Sequence, residues 1–156
     1  MSFGAIQSGR YGFEKQTNSK KRQVYGATMA LPDGRVFRYV ENGGTAIGEG
    51  LVVASEAPAG NHDEDLVVAT SGAAGGFTIG VTLGATAAAK DLYAEGYLFS
   101  NLASTTPHEM YKIKGHAAVA SNGTGTITID EPDGFQTAIT AGTDTVGLIK
   151  SPYKDI

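Results

Sequence analysis

Cysteine and tryptophan are both absent from this chain of 156 residues. Without cysteine the chain can form no disulfide and no thiolate metal site, and it has no thiol nucleophile. The absence of tryptophan weakens assignment to a sugar-binding module, which usually offers flat aromatic platforms, although tyrosine can serve. No apolar run is long enough to span a bilayer. The first residues lack the basic-then-apolar pattern of a signal peptide, so we expect a soluble protein made and used without Sec export.

Glycine is abundant, at 22 residues, and only 18% of the residues are charged. Together with frequent β-branched residues, this composition indicates short strands joined by tight turns. The length fits one domain of ordinary size, which can bury a core without covalent cross-links.

Nine or ten short segments have the composition or alternation of β-strands, with turn signals every 8–12 residues. Pro-Asp-Gly at 32–34 predicts a hairpin turn between the first two segments, and Asn122-Gly123 predicts another. The pattern predicts an all-β fold, a small β-barrel or β-sandwich. Strands are predicted at 23–31, 35–40, 50–56, 66–71, 77–83, 96–101, 110–116, 125–130, 136–140 and 145–150.

Two further features are predicted within this β-rich body. Residues 86–96 contain an alanine run between a threonine and a glycine, which predicts one short helix. Alternation in the predicted strands at 96–101 and 110–116 predicts that one face of each strand is buried. The candidate buried residues are Tyr97, Phe99, Tyr111 and Ile113.

Charge is distributed unevenly along the chain. Residues 1–38 carry seven basic and two acidic residues, a net +5, whereas the remainder carries five basic and fourteen acidic residues, a net −9. Because residues 1–23 also lack helical or strand periodicity, we interpret them as an arm, extended or disordered when free, preceding a β-rich domain at 24–156. The arm is either a tether for an acidic partner or a solvated tail. Its candidate binding residues are Phe3, Ile6, Arg10, Tyr11, Phe13, Lys15, Lys20, Lys21 and Arg22.

Nucleic acid is the weaker choice of partner, because only Lys20, Lys21 and Arg22 cluster and the acidic body would repel phosphate. Catalysis finds no positive support either. His108, Glu109 and His116 form the only close group of histidine and carboxylate. The two histidines lie about 27 Å apart on an extended strand, so we interpret them as partly exposed residues at its opposite ends.

The acidic loop Asn-His-Asp-Glu-Asp at 61–65 begins like a calcium-binding loop. The pattern then fails, because Leu66 and Gly72 occupy the positions that require glycine and glutamate. A solvated acidic loop is therefore favoured over a weak calcium site built together with other loops, and we expect no metal, no cofactor and no catalytic residue.

Two stretches resemble a known group of proteins. They are DGRVFRYVENGGTAIGEGLV (33–52) and the pieces DLYAEGYLFSN, MYKIKGHAAVA, ITIDEP and TDTVGLIKSPYKDI between residues 91 and 156. Together they resemble small virion proteins of tailed bacteriophages, of the kind that decorate or cement the capsid. The matching pieces cover about half of the chain, mostly C-terminal, and cover residues 1–25 poorly.

The resemblance implies a β-rich, β-tulip-like domain that binds the major capsid protein on the outer shell. It also implies homotrimers at three-fold and quasi-three-fold positions, with no enzymatic activity and no nucleic-acid or membrane partner. The expected location is the capsid surface of the virion, and the host cytoplasm during assembly. Alternatives are another virion component, such as a tail or fibre protein, and a carbohydrate-binding β-sandwich.

Overall fold

The computed structural model describes residues 6–48, 50–103 and 108–156. Its regular structure is almost entirely β, in one sheet of three strands and one of six, with no helix of seven residues or more among the described residues. The expected all-β class is therefore confirmed. Among these residues no helix has the length and hydropathy needed to cross a membrane. The chain divides into two compact units, one of residues up to Glu56 with Pro152–Ile156, the other Ala57–Ser151.

The first unit, called here the N-terminal unit, contains the three-stranded sheet β1-β2-β3. The strands are β1 (Gln7–Ser8), β2 (Thr28–Ala30) and β3 (Val36–Arg38), and a single 3₁₀ turn occupies Phe13–Lys15. The antiparallel β2–β3 pair confirms the hairpin predicted around Pro-Asp-Gly.

β1 pairs with β2 in parallel. Part of the predicted arm at 1–23 is thus incorporated in this sheet, and its behaviour when free stays a prediction. The last residues of the chain join the same unit, since the amide of Gly43 donates to the carbonyl of Ile156 at 3.0 Å.

The second unit is a closed six-stranded barrel, called here the barrel unit, with neighbours in the order β4-β5-β8-β7-β6-β9. All six pairings, including the closing pair β4–β9, are antiparallel. Because a closed barrel has no edge strands, this unit leaves no open sheet edge. The strands are β4 (Leu66–Thr70), β5 (Thr78–Thr82), β6 (Tyr97–Asn101), β7 (Met110–His116), β8 (Thr124–Ile129) and β9 (Thr145–Ile149).

Every barrel strand contributes two buried residues at alternate positions, as a two-residue side-chain period requires. These twelve residues fill the interior: Leu66 and Val68, Ile79 and Val81, Leu98 and Ser100, Tyr111 and Ile113, Ile127 and Ile129, Val146 and Leu148.

The predicted buried face was right for β7 and wrong for β6. Tyr111 and Ile113 point inward, but on β6 the buried residues are Leu98 and Ser100, whereas Tyr97 and Phe99 are only half-buried. Pairing places Phe99 opposite Gly147, where the Phe99 ring lies 2.4 Å from the position that a Cβ on Gly147 would take. The aromatic ring therefore covers a glycine on the outside of the barrel, which a strand pattern alone does not reveal.

The predicted helix at 86–96 is wrong. Asp91 and Glu95 have positive φ angles of 57° and 62°, which no α-helix contains. The amides of residues 91 and 95 donate to carbonyls of His116 and Ile113 at 3.1 and 2.8 Å. This segment therefore forms successive turns across one end of the barrel, because these two amides bond to β7 while others close short turns within the segment, such as Ala94 to the carbonyl of Asp91 at 3.1 Å.

Two predicted strands also fail to form. Residues 50–56 contain no strand. Residues 136–140 contain only a single bridge, between Ile139 and Gly72. Ile139 and Phe135 are almost completely buried, so this connection from β8 to β9 contributes apolar side chains to the core without extended pairing.

Candidate functional site

The exposed apolar side chains of the N-terminal unit stand out among the described residues. Ile6 is 63% exposed, Tyr11 62% and Phe13 49%. They coincide with three of the four apolar arm residues predicted from the sequence; the fourth, Phe3, lies outside the described residues. Arg10 and Lys15 are also exposed and close to them in sequence, so this surface combines apolar anchors with positive charge.

The start of this surface is held by the sheet. Beyond β1, the amide of Gly9 donates to the carbonyl of Ala30 at 2.8 Å. A Cβ at position 9 would lie 2.5 Å from the sulfur of Met29, so any larger residue there would require the Met29 side chain to move. The side-chain amide of Gln7 donates to Gln23 at 3.2 Å. Ile6 therefore directly precedes an ordered strand.

Tyr11 and Phe13 lie on either side of a tight turn. Gly12 has a φ of 94°, and its amide donates to the carboxylate of Glu14 at 2.7 Å. The 3₁₀ turn that follows buries none of its residues. The turn therefore displays both aromatic rings outward instead of packing them.

The basic cluster of the arm contacts a pair of stacked tyrosines. The Lys21 ammonium lies 4.1 Å from the centroid of the Tyr25 ring, and the Arg22 amide donates to the Tyr39 hydroxyl at 3.0 Å. Tyr25 and Tyr39 stack with centroids 6.3 Å apart. Lys20, Lys21 and Arg22 are exposed. These contacts with Tyr25 and Tyr39 therefore hold the basic cluster in a fixed position against the sheet.

The histidines assemble differently from the sequence expectation. His62 and His116 lie on either side of Tyr93, with ring centroids 5.8 and 5.5 Å from the Tyr93 ring. His62 and Tyr93 are fully buried, and His116 is 6% exposed. His108 precedes the opposite end of β7, so it does not join this cluster. The turns of 86–96 bring the three rings together, which spacing in the sequence could not indicate.

When both buried imidazoles are neutral, their hydrogen-bond partners fix which ring nitrogen carries the proton. Nε2 of His62 donates to the carbonyl of Thr86 at 2.8 Å, so Nδ1 accepts from the Tyr93 hydroxyl. Nδ1 of His116 donates to the carbonyl of Ala117 at 2.7 Å, so Nε2 accepts from the Tyr93 amide at 3.1 Å. All four ring nitrogens therefore have hydrogen-bond partners, and the buried cluster closes one end of the barrel.

The other end of the barrel carries a shallow polar cleft. The Glu109 carboxylate accepts hydrogen bonds from the hydroxyls of Tyr111 and Thr137, the latter at 2.8 Å. Burial raises the pKa of Glu109, but these hydrogen bonds outweigh it and hold the pKa below its ordinary value. Burial, with Glu109 beside it, raises the pKa of Tyr111. The hydrogen bonds of Glu109 therefore connect β7 to the segment that precedes β9.

In the part of the chain that the structure describes, no three His, Asp or Glu side chains come together as metal ligands would. In the acidic loop, Asp65 instead accepts hydrogen bonds from Asn101 at 3.3 Å and Thr145 at 3.1 Å. It therefore connects the loop to β6 and β9.

Comparison with models of protein families, with curated proteins and with solved structures found no match to this chain. Interpretation of the exposed surface therefore depends on its own residues.

Residues 50–56 form an exposed apolar segment that was not predicted, because the sequence there was interpreted as a strand. Leu51, Val52 and Val53 are 64%, 99% and 43% exposed. The signal was the run of consecutive apolar residues, which lacks the polar alternation of a half-buried strand.

Proposed function

We propose that this protein is a structural protein of a tailed-bacteriophage virion, a decoration protein that binds the major capsid protein on the outer face of the head. The observation that carries the proposal is the N-terminal unit, which displays Ile6, Tyr11 and Phe13 outward beside basic residues. A surface of this kind suits a large, acidic protein partner. The family resemblance of the sequence supplies the identity of that partner.

The apolar anchors contribute most of the affinity. Burying one large apolar side chain contributes roughly 1.5–3 kcal/mol, whereas an exposed ion pair contributes roughly 0–1 kcal/mol. The basic residues chiefly raise the association rate and make it sensitive to salt. The barrel unit has four basic and ten acidic residues, a net −6, so its charge opposes binding of an acidic surface, and the N-terminal unit makes the contact.

Assembly as a homotrimer would multiply these contacts. Three arms engaging one site on the lattice gain avidity because the second and third contacts are intramolecular. Bridging neighbouring shell subunits in this way stabilises the head against the pressure of packed DNA.

The test is binding to purified empty shells, measured by co-sedimentation at two salt concentrations. Deleting residues 1–23 should abolish most binding, and replacing Ile6, Tyr11 and Phe13 with serine should weaken it strongly. The matched control is Val67→Ser, which changes an apolar residue that is 55% exposed on the barrel unit and should bind like the full chain. If the deletion variant binds the shells as tightly as the full chain, the arm does not contribute to binding.

Electron microscopy of the parent particle separates the remaining roles. Density at three-fold and quasi-three-fold positions of the shell supports decoration, and its absence from the shell refutes it. Density on the tail would support the other virion role, and specific glycan binding by the isolated protein would support the carbohydrate-binding alternative.

A further inference from the structure

Residues 51–58, called here the open stretch, are continuously exposed and have no regular structure. All eight are exposed, and none belongs to a strand, helix or turn. Val52 is 99% exposed, with Leu51 and Val53 beside it at 64% and 43%. Among the described residues, no hydrogen bond between backbone groups joins residues 51–55 to the rest of the chain. Exposed loops are preferred sites of proteolytic nicking, because a protease can take up their backbone without first unfolding other structure.

Exposure alone does not distinguish the open stretch, since Val67 is also 55% exposed. Val67 lies in β4, however, where it pairs with Thr82 of β5 and with Thr145 of β9. A protease could take up the backbone of Val67 only after β4 had left the closed barrel, an opening that costs a large part of the free energy of unfolding. The open stretch needs no such opening, so it should be cleaved first.

The side chains of the open stretch indicate which class of protease would cleave it. Residues 51–54 are Leu-Val-Val-Ala, and the open stretch contains no lysine or arginine. A serine protease of the elastase type accepts small apolar side chains before the scissile bond, whereas a trypsin-type pocket requires a basic one. Water adds to the carbonyl carbon and the C–N bond breaks, which leaves a new carboxylate and a new amino group.

Residues Pro152–Ile156, called here the C-terminal segment, follow the barrel in the sequence but belong to the N-terminal unit. The amide of Glu41 donates to the carbonyl of Tyr153 at 2.9 Å, and the amide of Ile156 donates to the carbonyl of Glu41 at 3.1 Å. The amide of Gly43 donates to the carbonyl of Ile156 as well. A break in the open stretch would leave all of these main-chain hydrogen bonds in place.

The Tyr153 ring adds a side-chain contact to the same junction. A Cβ on Gly26 would lie 2.5 Å from the ring, so the ring packs directly on the backbone there. The Arg38 guanidinium lies 5.4 Å from the centroid of the ring and donates to the carbonyl of Gly26 at 3.0 Å. Backbone and side-chain contacts therefore hold the C-terminal segment in the N-terminal unit together.

We propose that the open stretch is a site of endoproteolytic cleavage, after one of the apolar residues 51–54, by a serine protease of the elastase type, and that the cleaved chain stays together through the C-terminal segment. The fragment that follows the cut contains the barrel unit and the C-terminal segment, and that segment binds the fragment that precedes the cut. Cleavage thus breaks the covalent connection without releasing the N-terminal fragment. The inference goes beyond capsid binding, because it concerns processing of the chain.

Limited digestion of the full chain with elastase tests the cleavage, and mass spectrometry identifies the fragments. We expect the first cut after one of residues 51–54. These cuts should be lost in a variant that combines Leu51→Asp, Val52→Asp, Val53→Asp and Ala54→Asp. The matched control, Val67→Ser, should be cut like the natural chain. A first cut anywhere else, or unchanged cutting of the aspartate variant, would overturn the cleavage site.

Size-exclusion chromatography of the cleaved protein tests the attachment. The two fragments should elute together under native conditions and separate in urea. After cleavage, Tyr153→Ser should release the N-terminal fragment. The control Tyr11→Ser, which removes a ring that is 62% exposed in the same unit, should not. Amide hydrogen exchange in the cleaved natural protein needs no variant, and the amides of Glu41 and Ile156 should stay protected there.

Three results would overturn the attachment. They are separation of the fragments under native conditions, loss of amide protection at Glu41 and Ile156 on cleavage, and equal retention of the fragment by the two tyrosine variants. Shell binding enters none of these measurements, so this inference and the proposed function fail separately.

Discussion

Removing the Tyr93 hydroxyl is the sharpest test of the buried cluster that closes one end of the barrel. In Tyr93→Phe the ring keeps its place and the backbone amide still donates to His116. The substitution removes the hydrogen bond to Nδ1 of His62, a residue with no exposed surface. It does so without creating a large cavity.

The expected cost follows from the orphaned nitrogen. A buried acceptor left without a partner costs about 1–3 kcal/mol. For a domain of roughly 100 residues, each 1 kcal/mol lowers Tm by about 4–8 °C, so Tm should fall by at least about 4 °C. Urea unfolding followed by circular dichroism gives the free energy, and thermal unfolding gives Tm.

The matched control is Tyr97→Phe, which removes a hydroxyl from a half-buried residue on the outside of β6. Its free energy of unfolding should stay within about 0.5 kcal/mol of the natural protein. Nitrogen chemical shifts should also show opposite neutral tautomers, with the proton on Nε2 of His62 and on Nδ1 of His116. If Tyr93→Phe unfolds with the same free energy as the control, the hydroxyl does not stabilise the barrel and the assigned tautomer of His62 is wrong.

Two further outcomes are expected in the barrel unit. Gly147→Val should destabilise it by about 1–3 kcal/mol or more, because a Cβ there would lie 2.4 Å from both the Asp63 carbonyl and the Phe99 ring. Urea unfolding measures this change, with Ile149→Val as the control. Equal stability of the two variants would contradict the close packing. The depressed pKa of Glu109 makes its ionised form stabilising above the ordinary carboxyl pKa, and this stability is lost as pH falls through the lower folded value. Thermal unfolding between neutral and acidic pH should therefore show a smaller pH dependence for Glu109→Gln, and an unchanged profile would contradict the assignment.

The exposed surface could be predicted from the sequence more readily than the buried clusters. Ile6, Tyr11 and Phe13 stand in a segment without periodicity and beside basic residues, so their exposure follows from the lack of any face on which to bury them. By contrast, His62 and His116 are 54 positions apart in the sequence. Nothing local indicates that Tyr93 lies between them, because that contact requires the barrel to be closed first.

The sequence by itself determined the all-β class, eight of the strands and both turns at Pro-Asp-Gly and Asn122-Gly123, because alternation and turn chemistry act over a few neighbouring residues. Tertiary structure decided which face of β6 is buried. Phe99 lies on the outside of the barrel because a glycine of β9 is opposite it, and the sequence of β6 does not indicate that pairing. Tertiary structure also replaced the helix expected at 86–96 with turns, because the amides of Asp91 and Glu95 bond to β7. Closure of the barrel fixes these long-range pairings, and short-range patterns contain no information about them.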